Sequence, residues 1–420
     1  MQHIELKYGR QKIPLEYDPE HFEVLGAHAG GPPLTDIEIG DRLDRPIDSD
    51  VLEDRVRPGE SVLIVVPDMT RQVGCGQVVN LLVRRLIANG TAAHDLRIIF
   101  ATGIHRKVTE DEKGEILTPF IAQRIKTLVH DPRDLARLVR LGETSGGIPV
   151  ELDRALVEHD HIVVVGGVSF HYFAGFTGGR KLICPGLASS RTIANTHKLA
   201  FDCDKLSRRD GVGTGLLDDN PVNQAFVEAA SKVTAPFAIN TIVDDAGEIV
   251  DLYCGDLLSS HRAACDSYDA SHTTYISERR PIVIVSCGGY PFDVNLIQAH
   301  KALEAASRAC EEGGTIILLA ECRDGLGRSD LMKWFAAADS MELARMLCEK
   351  YQVNGQTAWS LLRKAERFDV RFVTALPDDQ TSAMRIGRID IESVSEVLRA
   401  EKSGYILPAG SKIQIKQERN

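Results

Sequence analysis

Short runs rich in β-branched and apolar residues recur along the chain, at positions 61–66, 96–100, 161–165, 281–285, 315–319 and 370–373, and helical periodicity follows them. Uninterrupted apolar runs of this length, bounded by Gly, Pro or charge, suit strands buried on both faces of a sheet. The pattern predicts an α/β protein with two domains, in which mostly parallel sheets are flanked by helices. Residues 234–251 break the rhythm: two apolar alternating runs flank Asp244–Gly247, which reads as a hairpin turn and predicts some antiparallel structure in the first domain. A helix is expected from about Ser259, and the polar stretch 271–280 is the expected boundary. The predicted domains are therefore an N-terminal cofactor-binding domain, 1–275, and a C-terminal α/β domain, 276–403. Residues 391–400 read as a helix, 404–407 as a strand and 411–420 as an edge strand, a tail (404–420) that could return to the first domain.

Composition narrows the function. The net charge of -11 disfavours a protein that grips a nucleic-acid backbone, a task that needs concentrated positive surface. No apolar run is long enough to span a membrane, and the charged start does not read as a signal peptide, so a cytoplasmic protein with a small-molecule ligand is expected. The nine cysteines have no CxxC pair and no disulfide-framework spacing. They read as free thiols, which leaves a metal site to histidine or to a ligand the chain does not encode.

Polar residues concentrate in four stretches where β-to-α connections are expected, the usual place for ligand groups in an open α/β sheet. The first holds Asp68, Thr70 and Arg71: an acid able to accept from a hydroxyl, and a guanidinium fork able to grip a carboxylate or phosphate. By itself it reads equally as a helix cap beside a solvated Arg. The second presents His105 after Gly103, an imidazole suited to proton transfer that still needs a partner.

The third stretch runs from Val168 to Gly186 and contains His171, Gly175, Thr177, Gly178, Gly179, Arg180 and Lys181. Glycines before paired cations can turn backbone N–H groups toward an anion, which suits a phosphate. Neither the G-x-x-x-x-G-K-[ST] loop nor the G-x-G-x-x-G fingerprint is present, so ordinary ATP or NAD binding loses support. Sixteen positions beyond Lys181 comes His197, in a segment with helical character after Ser189 and Ser190. Imidazole suits nickel, zinc or copper, yet multi-histidine spacings are missing. The fourth stretch, entered through Gly288-Gly289-Tyr290-Pro291, places Gln298 and Lys301 on one helix face, where they could grip an organic anion.

The segment HYFAGFTGGRK (His171 to Lys181), followed by PGLASSRTIANTH to His197, closely resembles the cofactor-bearing segment of nickel-dependent lactate racemases. The stretches DMTR, ATGIHR and GGYPFDVNLIQAHK resemble that family's other signatures in the same order, so the likeness runs through most of the chain. The resemblance implies nickel and a cofactor made from nicotinic acid mononucleotide: pyridinium-3,5-bisthiocarboxylic acid mononucleotide, the nickel-pincer nucleotide. Its thioamide-linked lysine corresponds to Lys181 and its remaining nickel ligand to His197. Asp68, Thr70 and the Gly175–Arg180 loop, including Thr177, Gly178, Gly179 and Arg180, correspond to groups that hold its ribose and phosphate. His105 and His171 match two acid/base histidines, and Arg71, Gln298 and Lys301 match groups that orient the substrate carboxylate.

The resemblance thus implies an isomerase, a racemase or epimerase of a 2-hydroxy acid, served transiently by cofactor-synthesis enzymes, with no nucleic-acid or membrane partner. A homodimer is left open. Ile297 and Gln356 stand where aromatic residues are expected in the lactate enzymes, which points toward a longer or more polar 2-hydroxy acid, sugar acids included. Two other readings keep the same loop: a 2-hydroxy acid oxidoreductase using the same cofactor, and a non-catalytic carrier of a phosphoribosyl ligand. The carrier has no need of paired acid/base groups.

Overall fold

A computed structural model of the chain describes residues 1–27, 30–71 and 73–418. By their contacts these residues divide into two compact units, the first made of 30–200 and 210–268, the second of the residues up to 27, 201–209 and those from 269 onward. Both are α/β, as the apolar runs predict.

The first unit is built on a six-stranded sheet in the order Ile249–Asp256, Phe237–Val243, His161–Gly167, Val62–Pro67, Leu96–Ala101, Lys126–Leu128. Neighbours are parallel except the edge strand Ile249–Asp256, which runs antiparallel to Phe237–Val243 through the predicted hairpin. Val62 through Val66 are wholly buried, because helices cover both faces of a central parallel strand. Helix Cys75–Ala88 contributes one such cover: Val78, Val79, Leu82, Val83 and Leu86 recur at three- and four-residue spacing and join the strand's core cluster. Burying each such side chain stabilises the fold by about 1.5–3 kcal/mol.

Strand order places the site. From Val62–Pro67 the chain adds Leu96–Ala101 and Lys126–Leu128 on one side, then returns to lay His161–Gly167 on the other. The crevice beyond the carboxyl ends of the strands at such a reversal is where open α/β sheets take ligands. Asp68, His105 and the loop from Val168 each follow one of these three strands.

The second unit has a parallel six-stranded sheet in the order Gly387–Arg388, Asp369–Val373, Cys310–Leu319, Arg280–Ser286, Gly404–Leu407, Phe22–Val24. Its membership differs from the expected boundaries in two ways. The start of the chain belongs here: Phe22–Val24 extends the sheet, and the hairpin Gln2–Tyr8/Gln11–Tyr17 packs Leu6 and Leu15 with Ile284, Ile317 and Leu319. The tail does not return to the first unit. Gly404–Leu407 pairs with Arg280–Ser286, and Gln414–Gln417 pairs with Thr273–Ile276, a strand inside the stretch read as a linker. Arg419 and Asn420, the end of the expected edge strand, lie outside the described residues. Short edge strands carry little hydrophobic pattern of their own, so their partners are fixed only in three dimensions.

The expectation of free thiols is corrected at one pair. Phe201–Asp202 and Ser207–Arg208 form a small antiparallel finger, and Cys203 near its tip is disulfide-bonded to Cys348 at the end of helix Ser340–Glu349. The two lie 145 positions apart in sequence, with Cα atoms 5.6 Å apart. Such a separation leaves no spacing motif to read. Phe201 meets Trp359 edge-on, and Arg208 pairs with buried Glu304, which also accepts from Lys364. The other seven cysteines are free and buried. Among the described residues no helix is long and apolar enough to cross a membrane.

Candidate active site

Asp68 leaves strand Val62–Pro67 with its carboxylate buried. One oxygen accepts from the Thr70 backbone N–H at 3.0 Å and from its hydroxyl at 2.6 Å; the other lies 2.6 Å from His105 Nδ1. Burial alone would raise the carboxyl's pKa, but His105, Thr70 and Arg71 outweigh it and hold it at about 2. Asp68 is therefore an anion that accepts the His105 Nδ1 proton and leaves Nε2 with its lone pair. The same carboxylate therefore orients this imidazole. Arg71 donates from Nη1 to the Thr70 carbonyl at 3.1 Å; burial lowers its pKa and the Asp68 charge opposes that.

His171 lies in a two-strand turn in which Phe170–His171 pairs with Gly175–Phe176. The Ala174 backbone N–H donates to His171 Nδ1 at 3.3 Å, which makes that nitrogen an acceptor and assigns the proton to Nε2. The two acid/base candidates are thus held in opposite tautomers. Gly175 is needed at the turn: its φ is +78° and a Cβ would lie 2.2 Å from the Leu216 carbonyl oxygen.

Lys181 sits on the one-turn helix Gly179–Leu182, its Nζ 5.8 Å from the Phe173 ring centroid and 5.7 Å from that of Phe226. The same two rings flank His197, at 5.1 and 5.5 Å. His197 is carried by helix Ser190–Lys198, whose N-cap Ser189 accepts from Thr192 N–H. Lysine and histidine, sixteen positions apart in the chain, share one aromatic cage. Phe173 also meets His171 edge-on at 4.4 Å, and His105 is close enough to bear on the charge of His197. The four chemistry-bearing groups of this unit therefore form one cluster. Phe226 was missed in the sequence because it reads as an ordinary core position of helix Pro221–Ala230.

The rest of the glycine loop is tied into the protein. The Thr177 hydroxyl donates to the Gly167 carbonyl and accepts from Ser169 N–H, both at 2.8 Å. Gly178 and Gly179 take positive φ, +80° and +48°. Arg180, read as a phosphate ligand, is only 1% exposed, and its guanidinium is bonded to protein acceptors. Gln298 and Lys301 belong to the second unit, but not to one helix as expected: Gln298 lies on the short helix Leu296–Ala299 and Lys301 is the N-cap of Ala302–Ala309, and Lys301 Nζ donates to Gln298 Oε1 at 2.5 Å.

The donor set fits the nickel-pincer group. Burial, then the nearby Lys181 charge, lowers the His197 pKa to about 3, so the imidazole is neutral, the form that ligates a metal. Among the described residues no three His, Cys, Asp or Glu side chains cluster as a metal site. A metal at His197 would take its other ligands from a non-protein group, and the adjacent lysine is where such a group could be joined.

Acid should destabilise the metal-free protein through buried histidines of both units. His197, His261 and His300 are all held below the ordinary 6.5 by burial first, with Lys181, Arg180 and Lys301 respectively adding to it. Each folded-state pKa lies below its unfolded value, so the unfolded chain binds more protons and stability falls as pH drops below about 6.5. Between pH 7 and pH 5 each imidazole is expected to withdraw about 2 kcal/mol. Thermal melts across that range check it, and an unchanged midpoint would refute the neutral assignment.

The chain is similar to known proteins along most of its length. Residues 8–208 match the family model for the lactate racemase N-terminal domain, and 277–401 match that for the C-terminal domain. A lactate racemase from Thermoanaerobacterium thermosaccharolyticum is 31% identical over 339 residues, 80% of this chain and 78% of its own length. One from Lactiplantibacillus plantarum is 32% identical over 335 residues, 77% of this chain and 76% of its own. The solved lactate racemase apoprotein from T. thermosaccharolyticum superposes with a TM-score of 0.87 at 26% identity, covering 99% of this chain and all of that one. A Thermotoga maritima protein solved by structural genomics shares the fold, with a TM-score of 0.73 at 22% identity, covering 93% of this chain and all of that one. The chain belongs to the lactate racemase family.

Proposed function

We propose that this chain inverts the α-carbon of a 2-hydroxy acid, as a racemase or epimerase, with a nickel-pincer nucleotide joined to Lys181 and ligated by His197. The observation that carries the reading is the placement of two imidazoles of opposite tautomer beside a lysine and a neutral histidine in one aromatic cage. When bound, the cofactor supplies a two-electron acceptor that takes the α-hydrogen as hydride and returns it. His105, its Nδ1–H donating to the Asp68 carboxylate, presents a basic Nε2 to the substrate hydroxyl, while His171 presents Nε2–H on its side. Loss of the hydroxyl proton and the α-hydrogen leaves a planar 2-keto acid. The other imidazole would return a proton to the carbonyl oxygen when the α-carbon is re-formed with the opposite hand, so that His105 and His171 together serve both enantiomers. Arg71 is our candidate for the substrate carboxylate, and the same role is proposed for Gln298 and Lys301 of the second unit.

The substrate we favour is longer or more polar than lactate. Gln356 is buried, and its Oε1 accepts from the Tyr351 hydroxyl at 2.5 Å, so a polar group stands where the lactate enzymes are expected to carry an aromatic one. The reaction is tested with enantiopure 2-hydroxy acids deuterated at the α-carbon, given to protein made alongside cofactor-synthesis enzymes. Hydride return predicts inverted product that keeps most of its deuterium. Full exchange with solvent would overturn the hydride route in favour of proton abstraction, and accumulation of keto acid would favour an oxidoreductase.

A further inference from the structure

Arg180 is among the largest fully buried side chains, and its hydrogen-bond partners are a side-chain amide, two backbone carbonyls and an imidazole. Nε donates to Asn223 Oδ1 at 2.8 Å, Nη2 to the Ala174 carbonyl at 3.0 Å, and Nη1 lies 3.4 Å from the Gly178 carbonyl and 3.0 Å from His261 Nε2. A buried guanidinium is costly, and its pKa is lowered to about 10 by burial. With its hydrogen bonds made inside the protein, such a group can hold the segments it joins in a single arrangement.

What it organises is the backbone that carries Lys181. Ala174 lies before the glycine turn, Gly178 within it, Asn223 on helix Pro221–Ala230 and His261 on helix Ser259–His272, so one planar fork joins the loop to two helices. His261 completes the brace from below: its Nε2 lies 2.8 Å from the Thr177 carbonyl and 3.0 Å from Arg180 Nη1, and ties down the loop by donating to the one or accepting from the other according to its tautomer, while Cys265 Sγ lies 3.4 Å from the same nitrogen. A Cβ on Gly179 would meet the His261 ring at 2.8 Å, so the glycine backbone rests directly on the imidazole. Helix Pro221–Ala230 also supplies Phe226, one wall of the cage around the Lys181 amine. The residue anchored into the protein and the residue that enters the cage are consecutive in the chain.

We propose that Arg180, seated on His261 and Asn223, is a positioning residue that aims Lys181 into the Phe173/Phe226 cage, rather than a ligand of the cofactor's phosphate. The inference rests on the attachment role of Lys181 proposed above. Arg180→Lys keeps the charge and loses the planar fork, so a phosphate ligand would show the change in affinity for the nucleotide, and a brace would show it in attachment at Lys181.

The test separates binding from attachment. Metal-free Arg180→Lys is titrated with nicotinic acid mononucleotide by calorimetry, and the same variant is made in cofactor-replete cells and weighed intact. A brace predicts affinity within about twofold of wild type and an adduct at Lys181 reduced at least about tenfold, the cost of a misplaced reacting group. Affinity lowered about tenfold, with wild-type loading once cofactor is saturating, would overturn it. A second readout needs no cofactor: the rate at which an acetylating ester labels Lys181 in the metal-free protein should change several-fold in the variant, with other lysines unaffected. An unchanged Lys181 rate counts against the brace. His261→Asn asks the same question should Arg180→Lys fail to fold, and a melt within a few degrees of wild type qualifies each variant. Failure of wild type itself to load would count against the proposed function, while the labelling experiment would still decide the brace.

Discussion

Lys181→Ala, produced in cells that make the nickel-pincer nucleotide, is expected to fold and to carry no covalent adduct. The lysine is half-buried, and its ammonium lies 5.8 and 5.7 Å from the Phe173 and Phe226 centroids, near the outer limit of cation–π attraction, where each contact is worth about 0.5–1 kcal/mol. Intact mass should lack the added mass that wild type shows on the peptide containing Lys181. Nickel should fall with it, because His197 offers a single imidazole and no three-residue metal cluster exists among the described residues to hold the ion alone. Racemase activity is then expected to be below detection. A Lys181→Ala protein that kept both adduct and nickel would end the assignment of this residue.

The second large effect is expected at the acid/base pair. His105→Ala should lower turnover by roughly 10²–10⁴-fold, the usual worth of a positioned proton-transfer group, while adduct and nickel remain. His171→Ala should do the same. Both directions of the reaction must fall together in each variant, since the equilibrium between enantiomers is fixed and each imidazole serves as acid in one direction and base in the other. Asp68→Asn offers an internal control: the amide no longer accepts strongly from Nδ1, so the tautomer that frees Nε2 loses its support. Steady-state rates from each enantiomer, normalised to adduct measured by mass, decide it. An unaffected rate in either histidine variant would remove that residue from the mechanism.

Much of the fold was legible in the chain because parallel strands buried on both faces must be continuous apolar runs. Val62–Pro67, His161–Gly167 and Arg280–Ser286 all stand where such runs occur. The hairpin around Asp244–Gly247 was equally readable, since turn chemistry is local. The strands Phe22–Val24 and Gln414–Gln417 were not assigned to their sheets, since three or four residues do not specify a distant partner. The Cys203–Cys348 pair was invisible for the same reason.

Within the site, the sequence by itself determined the inventory: a histidine after one strand, a glycine loop ending in Arg180-Lys181 after another, and a capped helix bearing His197. Those follow from strand periodicity and helix-capping rules, which act over a few residues. Only the tertiary structure decided what each group does. It spent Asp68 on His105, turned Arg180 inward onto His261 and Asn223, and brought Phe226 across to join Phe173 around Lys181 and His197. The physical reason is that a charged or aromatic side chain takes its role from its partners in space, and the reversal of strand order at Val62–Pro67 is what makes residues distant in sequence into neighbours.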